Sequence, residues 1–142
     1  MTEIYELNDE LIILKNKIEE NLAELSTYLN MAYQYGAFVG TNWEVVMTSV
    51  NIPLDIVQKV DILGHKSEDL IEERETKFKE LLTLREKKCQ ELIDKAKEFN
   101  IPDWYIEKLK KTYSMECQYN IIKPLENLKK EIDTITILKS KI

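Results

Sequence analysis

Between Ser67 and Phe99 the chain contains neither glycine nor proline, and its apolar residues return every three or four positions. Ile71, Phe78, Leu82, Cys89, Leu92, Ala96 and Phe99 therefore fall on one face of a helix, widened by Leu81, Leu84 and Ile93. A long helix with one oily face has to bury that face against another element. Ser67 reads as the N-cap, with Glu68 and Asp69 opposing the helix dipole in the first turn. Asn100 suits the left-handed position that ends such a helix. Pro102 cannot extend it but fits the first turn of the next, where Asp103 adds favourable charge.

The next segment repeats the pattern at Ile106, Leu109, Tyr113, Cys117, Ile121, Leu125, Leu128, Ile132, Ile135 and Leu138. A linker as short as Asn100-Ile101-Pro102 predicts an antiparallel hairpin of 67–99 with 103–139. Counting outward from the turn places Leu81 near Asn120 and Ile121, and Arg85 near Glu116 and Cys117. The register predicts a partly buried Arg85–Glu116 ion pair that sets alignment more than stability. The alternative is an Arg85 whose stem packs while its head reaches water. Pro124 removes a helix hydrogen bond, which predicts a kink near residues 120–123, with a break into two helices as the alternative.

With only three glycines and three prolines in 142 residues there is room for few turns, so the expected class is all-α. The expected architecture is a single domain over 1–142: an elongated antiparallel bundle or coiled coil of three long helices. Helix 1 covers 1–35, two short helices over 36–66 cap one end, and the hairpin covers 67–142. In helix 1 the seam reads Ile4, Leu7, Leu11, Leu14, Ile18, Leu22, Leu25, Leu29 and Ala32, with a four-residue step at Ile18–Leu22 that implies a stutter. Its length comes to about 50 Å. Gly36 is the natural stop.

Tyr28, Tyr33, Tyr35, Phe38 and Trp43 crowd this end of the helix. One reading seals the bundle with them. The sharper one makes Tyr33, Tyr35 and Phe38 a partner-binding hot spot, since such sites favour large aromatics. Thr41-Asn42-Trp43-Glu44 has capping-box spacing and predicts a short helix through Val50. A second is expected from Pro53 to Ile62, stopped by Gly64. Together they suggest a helix-turn-helix corner at 43–62, with Val46, Val50, Ile52, Val57 and Val60 inside. The corners Asn51-Ile52-Pro53 and Asn100-Ile101-Pro102 use the same turn chemistry.

Charge is uneven around the net value of −6. Residues 1–65 hold three basic and ten acidic side chains, residues 66–99 nine and ten, and residues 100–142 eight and six. The acidic first half repels nucleic acid and anionic lipid. It also admits a basic protein partner, or imitation of nucleic acid. The outward face of the second short helix, with Asp55, Gln58, Lys59 and Asp61, is a poor DNA reader. No run is long and apolar enough for a membrane span, and Met-Thr-Glu-Ile-Tyr-Glu is no signal peptide.

His65 is the only histidine, so neither a zinc site nor the Glu-x-x-His pairs of a di-iron bundle can be assembled. There is no phosphate loop, nucleophile elbow or Cys-x-x-Cys. Cys89 and Cys117 sit about 7 Å apart in height in the hairpin register, wide for a disulfide. A reducing cytoplasm, or a nucleus, fits best. No catalytic, metal or cofactor residue is expected.

Beyond Thr134 the last arm outruns its counterpart, yet Ile135, Ile137, Leu138 and Ile142 remain apolar, as an interface would be. The expectation is a non-enzymatic module for protein contacts, whether adaptor, structural subunit or inhibitor, with a protein partner or self-association. Nucleic acid and membrane are not expected partners. The alternatives are a small DNA-associated regulator using the 43–62 corner, or an acidic inhibitor that mimics nucleic acid.

Overall fold

Gly36 ends the first helix because it can take φ 77° without a side-chain clash. The Ala37 amide then reaches the Ala32 carbonyl at 3.2 Å and the Gly36 amide reaches Tyr33 at 2.9 Å, the paired bonds of a Schellman stop. In this computed structural model, which describes residues 1–46, 51–116 and 122–140 (side chains of 112–116, 139 and 140 excepted), the elements follow in a simple order. They are α1 Thr2–Gln34, β1 Phe38–Val39, β2 Val45–Val46, α2 Leu54–Glu98, α3 Asp103–Glu116 and α4 Ile122–Ser140. The class is all-α, with one minimal hairpin of strands among the described residues.

The chain divides into two compact units, residues 9–78 and residues 1–8 with 79–142. We refer to them as the hairpin unit and the corner unit.

In the hairpin unit, α1 and α2 run antiparallel. Lys77 meets Glu10 at 2.7 Å, Asn21 meets Leu63 and Ser67, and Ala32 packs with Ala37 and Ile56. From residue 9 on, the buried α1 residues are Leu11, Leu14, Ile18, Asn21, Leu25 and Ala32, while Leu22 is 43% exposed. The expected stutter is therefore absent. Steps of three and four continue without interruption through Asn21 and the half-buried Tyr28, and Leu22 turns outward.

The cap differs from expectation. Phe38 pairs with Val46 and Val39 with Val45 in an antiparallel hairpin, which rules out a helix spanning Trp43–Val50. Residues 47–50, with Val50 among them, lie outside the described residues. The Trp43 amide bonds the Gly40 carbonyl at 3.1 Å and the Gly40 amide bonds the Glu44 carbonyl at 2.8 Å, so a three-residue loop closes the strands. The Glu44 carboxylate accepts from the Asn42 amide at 3.0 Å, a turn contact and not a helix cap. The second short helix is the beginning of the 45-residue α2, which runs through Gly64 without stopping. Ser67 is accordingly no N-cap: it lies inside α2, 3% exposed, donating to the Leu63 carbonyl one turn back. Among the described residues of 43–62, Val45–Val46 form a strand where the first helix of the expected helix-turn-helix would lie.

The corner unit begins from Asn100, which adopts φ 56° as C′ of α2, its amide on the Lys97 carbonyl at 3.1 Å. The Pro102 carbonyl accepts from Tyr105 and Ile106 and opens α3. Pro53 opens α2 likewise, through Ile56. Leu81, Leu92, Ile93, Ala96, Ile106, Leu109, Leu125, Leu128 and Ile132 are buried. Leu81, Leu125 and Ile132 are fully so, each contributing about 1.5–3 kcal/mol. Pro124 lies in α4, whose described part begins at Ile122; the residue four back, Asn120, is outside the described residues. The kink expected at 120–123 falls partly on residues 120 and 121, outside the described residues.

Candidate functional site

The polar centre of the hairpin unit is built on the α1 seam. Asn21 Nδ2 donates to the Leu63 carbonyl at 2.9 Å and to Ser67 Oγ at 2.5 Å. Ser67 Oγ in turn donates to the same carbonyl at 2.9 Å. Asn21 is 5% exposed, so its amide is tied down where water cannot compete. This link aligns α1 with α2. It exposes no reactive atom.

One turn along α2, the hairpin tip docks. Trp43 holds φ 60°, which a bulky side chain adopts only when its surroundings impose it. Its ring lies against Gly64, where a Cβ would come within 2.1 Å of Trp43 Cδ2. Its indole Nε1 donates to Glu68 at 2.8 Å. Beside it, His65 Nδ1 lies 2.8 Å from the Asp61 carbonyl and 3.0 Å from its carboxylate, while Nε2 lies 3.1 Å from Asn42 Oδ1. The bond to the Asp61 carbonyl, opposed in part by desolvation and aided by the Asp61 and Glu68 charges, raises the His65 pKa above its ordinary value. Nδ1 is engaged within α2 by Asp61 and Nε2 reaches the tip at Asn42, so His65 latches the tip to the helix.

In the corner unit most of the polar contacts are peripheral, with buried Arg85 the exception. Asp133 bonds Lys129 at 2.9 Å and lies 3.8 Å from Lys95, and the Lys129 bond lowers its pKa. Tyr105 donates to Glu131, which raises the phenol pKa. Arg85 is 7% exposed on the α2 seam, with Nη2 3.3 Å from Glu86. It therefore does not reach into water. Its expected partner Glu116 and the neighbouring Cys117 lie outside the described side chains, and Cys89 is buried.

The expected interface residues are placed unevenly. Tyr33, Tyr35 and Phe38 are 54, 41 and 66% exposed, so they do not seal a core; Tyr28, with Val45 and Ile52, packs against the Ala32–Ala37–Ile56 cluster. Val46 and Leu54, at the same end of the hairpin unit, are exposed as well. On α4, Leu138 is 59% and Ile137 55% exposed, while Ile135 is half-buried. Ile142 lies outside the described residues.

Sequence reasoning passed over Asn21, His65 with Asn42, and the Trp43–Gly64 contact. The heptad count alone could have found the first. Among the described residues no group of three or more His, Cys, Asp or Glu is arranged to hold a metal ion, and no helix is long and apolar enough to cross a membrane. Comparison with protein-family models, with curated proteins and with solved structures finds no match.

Proposed function

We propose that this chain is a non-enzymatic helical module that works through protein–protein contacts, as an adaptor, structural subunit or inhibitor. The observation that carries the reading is the concentration of exposed large apolar side chains where α1 ends, the strands pair and α2 begins: Tyr33, Tyr35, Phe38, Val46 and Leu54. Tyrosine and phenylalanine at such a place supply contact area at low entropic cost, and large exposed apolar groupings mark interfaces. The exposed Ile137 and Leu138 of α4 offer a second face of the same kind.

The test is affinity capture with mass spectrometry on the tagged full chain, beside Tyr33→Ser/Phe38→Ser and Ile135→Asp/Leu138→Asp variants. The expected result is wild-type helicity by circular dichroism with loss of captured proteins in one or both variants. Capture that is identical in all three, or no higher than the tag alone, would sink the reading.

A further inference from the structure

Trp104 is 68% exposed in the first turn of α3, an unusual position for the residue with the most apolar surface to hide. Its ring is held edge-on to Tyr105, with centroids 5.7 Å apart, and Tyr105 is itself bonded to Glu131, so the indole is presented and not loose. Lys108 and Lys111 follow at four and seven residues, on the same helix face, and both are exposed. Lys110 borders the face and neutralises Glu107 at 3.8 Å; Asp103 is the other nearby acid. The surface is an aromatic anchor followed by two lysines.

A matching surface exists in the same chain. Residues 71–76 and Phe78 of α2 are all exposed, including Ile71 at 41% and Phe78 at 40%. Ile71, Glu75 and Phe78 share one helix face, with Glu72 at its border. The hairpin unit that carries them holds thirteen acidic and six basic side chains, a net of −7. Laid antiparallel, the two faces bring Phe78 to Trp104, Glu75 to Lys108 and Glu72 to Lys111.

We infer that the chain self-associates by docking the Trp104–Lys108–Lys111 face of one copy on the Ile71–Phe78 face of α2 in a second copy. This rests on the reading of the chain as a protein-contact module and names the partner. A polyanion such as nucleic acid or an acidic bilayer fits the lysines alone, whereas the second copy, though it also carries a net charge of −6, supplies acids at matching spacing and the apolar seat for the indole. The aromatic contact sets the lifetime of the complex and the charges set its alignment and salt dependence.

The experiment is sedimentation of the purified full chain from about 1 to about 500 µM, at low and at high salt. The expected result is a mass that rises with concentration and falls back with salt. Trp104→Ala should weaken association about tenfold or more. Lys108→Glu/Lys111→Glu and Glu72→Lys/Glu75→Lys chains should each be monomeric alone, yet associate when mixed, because one supplies the lysines and the other the carboxylates. Circular dichroism confirms folding, and the milder Glu72→Gln/Glu75→Gln pair tests the same face should the reversal unfold.

A wild-type chain that stays monomeric throughout, or reversed chains that associate like wild type, overturns the inference. So does a single-stranded oligonucleotide that quenches Trp104 while the protein remains monomeric. In any of these cases the protein-contact reading still stands if the Phe38 variant loses its captured proteins.

Discussion

In the hairpin unit the middle of the helix seam is held by an amide bonded across two helices, Asn21 to Ser67 and Leu63, whereas in the corner unit the fully buried positions Leu81, Leu125 and Ile132 are apolar, the ion pairs of Asp133 lie at the rim, and the buried Arg85 meets Glu86 of its own helix. The difference teaches how alignment is specified. A buried amide with its donors placed tolerates no sliding of α1 along α2, because a one-step slip leaves it unpaired at a cost of about 1–3 kcal/mol. Leucine and isoleucine layers stabilise more per residue but discriminate less between neighbouring registers. In the corner unit Asn100 and Pro102 supply the missing constraint, since they set where α2 stops and α3 begins.

The largest test of this contrast is Leu125→Ala. It should cost about 3 kcal/mol, seen as a lower midpoint in urea unfolding. Amide exchange then asks whether Leu63 and Ser67 keep their protection; loss in both units together would show a single cooperative block. Next comes Gly64→Leu, which places side-chain atoms where the Trp43 ring lies. A destabilisation of about 2 kcal/mol, with a red-shifted Trp43 emission in a Trp104→Phe background, is expected.

Ser67→Ala removes one acceptor from Asn21 and should cost about 1 kcal/mol, confined to hairpin-unit amides. If Leu125→Ala and Ser67→Ala perturb the same amides, the contrast between the units fails.

The smallest effect is the pH response of the hairpin tip. The folded His65 pKa lies above its ordinary value of 6.5, so the unfolded chain gives up its proton first. The stabilisation from protonated His65 is complete below the unfolded pKa and is lost as pH rises through the folded one. Protection of the Trp43 indole N–H should therefore fall over that interval in NMR exchange, and His65→Gln should flatten the profile.

Much of this architecture was written locally. Gly36 and the Asn100–Pro102 turn announced their roles because a left-handed residue and a ring-locked one have few other uses. Leu138 is exposed, but the expected cause, a counterpart helix that starts at Ser67, does not hold, because α2 begins at Leu54. Gly64 misled, because a glycine that clears space for a distant indole looks the same in sequence as one that ends a helix. Ser67 misled for a related reason: its hydroxyl serves a cap or a carbonyl one turn back equally well, and only Asn21 decides. Asn21 itself was hidden by Leu22, whose greasier side chain suggests a shifted seam that the heptad does not follow. Tyr33 and Phe38 are exposed, and composition near a helix end left that open beside the reading in which they seal the bundle.

The left-handed backbone at Trp43 has a consequence for the order of folding. A peptide comprising only residues 36–46 has nothing to offset the roughly 1–2 kcal/mol that this conformation costs, so it should wander among ordinary turns. The tip acquires its native twist only after α2 has formed and offered the smooth floor at Gly64. Assembly of this end must then proceed from rods to ribbon, with the tryptophan settling last.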